Sequence, residues 1–152
     1  MPNMLTIIDV IFRGEVTKIN FSFLKELLSK NSEVRFNFPE IEKNIDYDLI
    51  INHLKSSEYL DIVFSYFELN FVPNIFVNLG LDNKRIELIF FLDIKNIDCK
   101  TYKEFMDKLI AWGKEFASAY NFDTFTCEID NANEDQFYYK TGKYGTFYNK
   151  LL

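Results

Sequence analysis

The densest run of chemically active side chains lies near the C-terminus. From Asp123 to Asp135 stand five carboxylates, Asp123, Glu128, Asp130, Glu134 and Asp135, with no Lys or Arg among them. The stretch that follows, Phe137 to Tyr148, is half aromatic. Carboxylates beside aromatic rings suit a surface that grips a basic protein segment. The charges draw Lys and Arg, and the rings supply contact area that sheds water. A second acidic stretch, Glu33 to Asn70, holds eight carboxylates against three cations, Arg35, Lys43 and Lys55, and includes Asp46 and Asp48. Paired carboxylates can also perform acid–base work, as in glycoside hydrolysis. With 23 Asp and Glu in the chain, however, nothing in the sequence singles out a pair.

Other chemistries find little support. His53 is the only histidine, so any nucleophile–histidine–acid triad would have to use it. It falls in a helical stretch beside Leu54, where a surface or boundary histidine is expected. Cys99 and Cys127 are too few for a disulfide scaffold or a zinc site. Cys127 alternates with Phe125 and Ile129 and reads as a buried thiol. A single disulfide and two free thiols both fit. For a hard cation the densest carboxylates are Asp93 with Asp98, or Asp130 with Glu134 and Asp135. Neither set follows the calcium-loop spacing, and both read as solvated acidic faces. Thr141 to Thr146 contains Gly and Lys without phosphate-loop spacing, and reads as a turn. No catalytic residue, metal or cofactor is expected.

The elements that must position these residues follow from periodicity. Leu5 to Phe12 reads as a strand broken by Arg13-Gly14-Glu15. Asn20 or Ser22 can cap a short helix through about Ser29. Val34, Phe36 and Phe38 alternate with polar residues as a strand that Pro39 ends. Asp46 to Leu54 looks helical. Tyr59 to Val72 is so apolar that strand and helix both fit. Ile75 to Leu81 and Arg85 to Ile94 alternate around Asp82-Asn83-Lys84, which is a hairpin signature. Thr101 and Glu104 form a capping box. Phe105, Leu109, Trp112 and Phe116 then line one helical face, and Asn121 is a plausible stop. Phe125, Cys127 and Ile129 mark a further strand, with Glu128 and Asp130 on its outer side. The tail adds an edge strand or a hairpin near Gly142. Together these elements predict an α+β fold, a single domain over residues 1–152. It has a mostly antiparallel sheet, a long amphipathic helix over about 101–121, and shorter helices packed on the sheet.

A net charge of −6 disfavours nucleic acid and anionic membranes as partners. No stretch reaches the roughly 18 apolar residues of a membrane helix, and the first residues lack a basic, signal-like region. A cytoplasmic location is expected.

The run from the Trp112 helix through Phe122-Asp123, Cys127-Glu128-Ile129-Asp130-Asn131-Ala132 and Phe137-Tyr138-Tyr139 to Tyr144-Gly145 resembles the small acidic immunity proteins of bacterial polymorphic toxin systems. That resemblance implies a non-enzymatic protein that binds a cognate toxin domain and blocks it. Asp46, Asp48, Asp123, Glu128, Asp130, Glu134 and Asp135 would face the toxin's Lys and Arg. Tyr138, Tyr139 and Tyr144 would supply apolar contact, while Trp112 suits the core better. Two other classes fit the chain: a small enzyme using carboxylates or a divalent metal, and an adaptor that self-associates through its aromatic tail.

Overall fold

The computed structural model describes residues 7–31, 33–38, 41, 45–56, 58–64, 75–93, 99–130, 132–133 and 135–151. Eight strands form one antiparallel sheet: β1 (Ile7–Glu15), β2 (Val34–Phe36), β3 (Leu60–Phe64), β4 (Ile75–Asp82), β5 (Arg85–Asp93), β6 (Thr124–Ile129), β7 (Phe137–Lys140) and β8 (Lys143–Tyr144). Their spatial order is β2-β3-β4-β5-β1-β6-β7-β8, so the first strand lies between β5 and β6. Helices whose full range is described are α1 (Phe23–Lys30), α2 (Tyr47–Lys55), α3 (Tyr102–Ala119) and the short α4 (Thr146–Asn149). The expected α+β fold with an antiparallel sheet is what the chain adopts.

The helices pack on one face of the sheet. Alternate residues of the central strands, among them Ile8, Val10 and Phe12 on β1 and Leu88, Phe90 and Leu92 on β5, point into that layer and are buried. Phe12 is its hub. Its ring contacts Phe90, Trp112, Phe116, Phe122 and Phe125 at centroid distances of 4.7 to 5.9 Å. The α3 helix seats over this hub through Phe105, Leu109, Trp112 and Phe116, the stripe that its sequence spacing predicts. It comes very close to β6: a Cβ on Gly113 would stand 1.9 Å from the Phe125 ring, so only glycine fits there. The α1 helix joins the same layer through Phe23, whose ring meets Phe116. Ile51 and Leu54 of α2 share a hollow with Leu81 of β4.

Local chemistry explains the element ends. The β4–β5 hairpin turns through Asn83 and Lys84, both at positive φ (51° and 68°), which is the two-residue turn that matches strand twist. At the start of α3, Thr101 Oγ1 accepts the Glu104 N–H at 3.0 Å. At its end Asn121 takes a left-handed φ of 62°. The Phe122 N–H then bonds back to the Ala117 carbonyl at 2.9 Å, which closes the helix. The buried Asn20 amide donates to the Tyr120 and Asn121 carbonyls at 2.9 and 3.0 Å, satisfying groups that a helix terminus leaves open.

Three expectations need correction. Arg13-Gly14-Glu15 does not break β1; the strand runs through it, pairing Arg13 with Glu87, Gly14 with Ile86 and Glu15 with Arg85. Gly14 lets the chains approach closely: a Cβ there would stand 3.2 Å from the Asn121 oxygen and 3.3 Å from the Phe122 Cα, a tight contact that the neighbouring backbone would have to ease. Of the two cap candidates, Ser22 does occupy the N-cap of α1 but makes no side-chain cap, and Asn20 sits in a 3-10 turn (Lys18–Phe21) ahead of it. The strand expected to reach Phe38 ends at Phe36. In the ambiguous stretch from Tyr59 to Val72, Leu60–Phe64 is strand, and residues 65–72 lie outside the described ones.

Candidate functional site

The second face of the sheet carries no helix among the described residues, and its side chains are of a different kind. Register places them in rows across the strands. One row runs Val63, Phe76, Phe91, Asp9, Glu128, Phe137 from β3 to β7. The next runs Asp61, Asn78, Ile89, Ile11, Thr126, Lys140. A third contains Gly80, Glu87, Arg13 and Thr124. At one end of the sheet, Asp93 pairs with Ile7 and the Asp130 N–H bonds to the Ile7 carbonyl. This face therefore carries Asp61, Glu87, Asp93 and Glu128 together with the buried Asp9, and its cations include Arg13, Arg35, Arg85 and Lys140.

The charges are partly matched from within. Arg13 Nε donates to Glu87 at 2.7 Å, and the Asn78 amide donates to Asp61 at 2.8 Å. Lys140 lies over the Phe137 ring at 5.8 Å. Glu128 is half-buried, directly opposite Asp9. Burial pushes its carboxyl above the ordinary value; Arg13 and Lys140 pull it down, and Glu87 pushes it up. A carboxylate in that position gains from an added cation.

The sequence candidates fall into four groups. Glu128 and Asp130 do lie together at one end of this face, and Asp135 is exposed in the segment between β6 and β7. Asp46, Asp48 and Asp123 lie elsewhere. Asp46 caps α2 by accepting from the Asp48 and Leu49 N–H groups at 2.9 and 3.2 Å. Asp48 is exposed on α2's first turn. Asp123 pairs with Arg85 at 2.7 Å. Glu134 lies outside the described residues.

The tyrosines are the correction. Tyr138 and Tyr139 are 3% and 4% exposed and cannot present rings to a partner. Strict alternation would turn one of them outward, but a register shift between Cys127 and Glu128 disrupts it. Tyr138 packs edge-on to Phe147, and Tyr139 tilts against Phe125. Tyr144 is exposed at 46%, on the edge strand beside Tyr139 and Tyr148. Trp112 is core, as its helical spacing suggested.

Sequence reasoning missed Phe76, Phe91 and Tyr59. A readable signal existed, since Phe76 and Phe91 occupy the phase of their strands that should be polar. The row they form depends on register between strands, which one sequence does not disclose.

Several groups with catalytic potential have other partners or the wrong ionisation. His53 stacks on Phe38 (4.3 Å, 11° between planes) and its Nε2 lies 3.0 Å from the Tyr59 carbonyl. A carbonyl can only accept, so that nitrogen carries the proton. Burial, and then Glu128, push the Cys127 thiol well up, away from a nucleophilic thiolate. Cys99 and Cys127 are both free thiols. An apolar groove of about 190 Å³ between α1 and α3, lined by Phe23, Leu27, Phe90 and Trp112, has Glu26 at its rim. Hydrogen bonds from Lys30 and Tyr120 hold Glu26 below its ordinary value, the wrong direction for a general acid. Among the described residues no group of three or more His, Cys, Asp and Glu is placed to hold a metal ion. No helix among them is long and apolar enough to cross a membrane.

A solved structure shares this architecture. A chain from the crystal structure of the toxic C-terminal tip of CdiA from Pseudomonas aeruginosa in complex with immune protein superposes with a TM-score of 0.68. It is 15% identical, and the match covers 93% of this chain and 97% of that one, which shows a common fold. No curated protein matches the chain. The family model described as PABL017 Cdi1I immunity protein matches residues 6–143, and the chain belongs to that family.

Proposed function

We propose that this protein neutralises a toxin domain by binding it one-to-one, and that it acts by occlusion rather than by catalysis. The family match over residues 6–143 carries the reading. The geometry supports it: the helix-free face of the sheet groups Glu128 and Asp130 with further carboxylates, and Asp135 is exposed in the segment that follows β6. Such a field speeds encounter with a cationic partner and disfavours anionic ones. Its place of action is the cytoplasm. Glu128, Asp130 and Asp135 are the contacts retained from the sequence candidates, with Asp48 and Tyr144 as outlying ones. Tyr138 and Tyr139 support the fold beneath them.

The test is co-expression with a candidate toxin domain taken from the open reading frame immediately upstream. Growth should be rescued, and native mass should show a one-to-one complex. A cell that dies despite full-length, folded protein would remove the reading.

A further inference from the structure

The helix-free face carries more than acidic groups. Two aromatic side chains on it stand well out of the protein, with Tyr59 56% exposed and Phe76 40% exposed. A strand that buries one face normally turns polar residues to water on the other. Phe76 departs from that, and so does Phe91 beside it, with ring centroids 5.8 Å apart. The Tyr59 ring lies over Gly80, where a Cβ would come within 2.6 Å of it. Between the two exposed rings lies Asp61, opposite Asn78. From Phe76 the row continues through Phe91 and Asp9 to Glu128.

We infer that the toxin domain docks across this face, from β3 to β6, with a cationic segment as the occupant. A Lys or Arg stem packs between Tyr59 and Phe76 with its charge on Asp61, and a second cation lies along Phe91 to reach Glu128. This rests on the toxin-binding reading above and adds the face and the chemistry of the contact. Charge selects the occupant. Arg13 is already engaged by Glu87 at 2.7 Å, while Glu128 is half-buried opposite a second carboxylate. An incoming anion would meet Asp61 and Glu128; an incoming cation compensates the half-buried Glu128. The rings suit the same occupant, because a Lys or Arg stem packs on an aromatic side chain and its charge is attracted to the ring face. Aromatics ringed by polar groups are the usual anchors of protein interfaces.

The experiment titrates the full chain against the same toxin domain, made inactive by mutation, at several salt concentrations. Phe76→Ala and Tyr59→Ala are each expected to weaken binding about tenfold or more. Glu128→Gln should slow association about threefold or more at low salt and flatten its salt dependence. Tyr102→Ala, at an exposed ring on α3, serves as the control and should stay within about twofold of wild type. Thermal melts establish that each variant is folded. Should Phe76→Ala unfold, Tyr59→Ala carries the same test from a ring that lies outside the strands. If wild type binds and the folded aromatic variants stay within about twofold of it, the docking face is overturned while toxin binding stands. If wild type does not bind, both readings fall.

Discussion

The two faces of this sheet come from the same strands, yet they are built to opposite rules. On the helix side, Phe12 touches five aromatic rings, and every alternate residue of β1 and β5 is buried apolar. On the other side the same strands contribute Arg13, Glu87 and Asp93, with the half-buried ring of Phe91 and the buried Asp9 and Ile11 among them. Shape dominates the first face, because close-packed interiors register the loss of a single methylene. Charge and partly solvated rings dominate the second, where substitutions are better tolerated. A protein that must recognise one particular partner benefits from this division. The recognition face can change while the helix-packed face keeps the fold.

The sharpest way to break the comparison is Phe12→Ala. It should cost about 3–5 kcal/mol of stability, as truncating a buried Phe generally does. Chemical denaturation would read this as a lower midpoint with an unchanged slope. If Phe76→Ala cost as much, the two faces would not differ as described. Next comes Gly113→Ala, which forces a methyl group into the Phe125 ring and lifts α3 from β6. Overpacking of this kind costs about 1–3 kcal/mol, and the same denaturation series measures it.

The smallest effect is the most specific. The Glu128 carboxyl titrates above its ordinary value of 4.5 in the folded protein. The folded state therefore holds this proton more tightly than the unfolded chain does. Ionised Glu128 opposes folding at neutral pH, and stability from this group rises as pH falls toward 4.5. Glu128→Gln should thus melt slightly higher than wild type at neutral pH, with the gap closing as the buffer is acidified. A gap that widens on acidification would show the carboxylate to be stabilised by its neighbours instead.

Legibility tracked how local each interaction is. The α3 helix could be read entirely, since its cap, its inner stripe and its Asn121 stop all lie within one stretch of chain. The β4–β5 hairpin was equally plain. The continuation of β1 through Gly14 was not, because the backbone that crowds this glycine belongs to Asn121 and Phe122, over a hundred residues away. Glu128 was identified as outward-facing by alternation within its own strand. Its neighbours Asp9 and Phe91 are neighbours only through the pairing of β1 with β5 and β6, which no local pattern encodes. Tyr138 and Tyr139 misled for the complementary reason. Their composition suggested a surface, and an irregularity in strand pairing turned both toward the core.

The central place of β1 has a consequence for how the protein comes into being. The first strand leaves the ribosome with neither neighbour available, and its second partner, β6, emerges more than a hundred residues later. Contacts so distant in sequence slow the search for the native state. Through most of synthesis a strongly apolar segment, Ile7 to Phe12, must wait unpaired. Protection against a toxin would then begin abruptly, once β6 has been made, and nascent chains would give none.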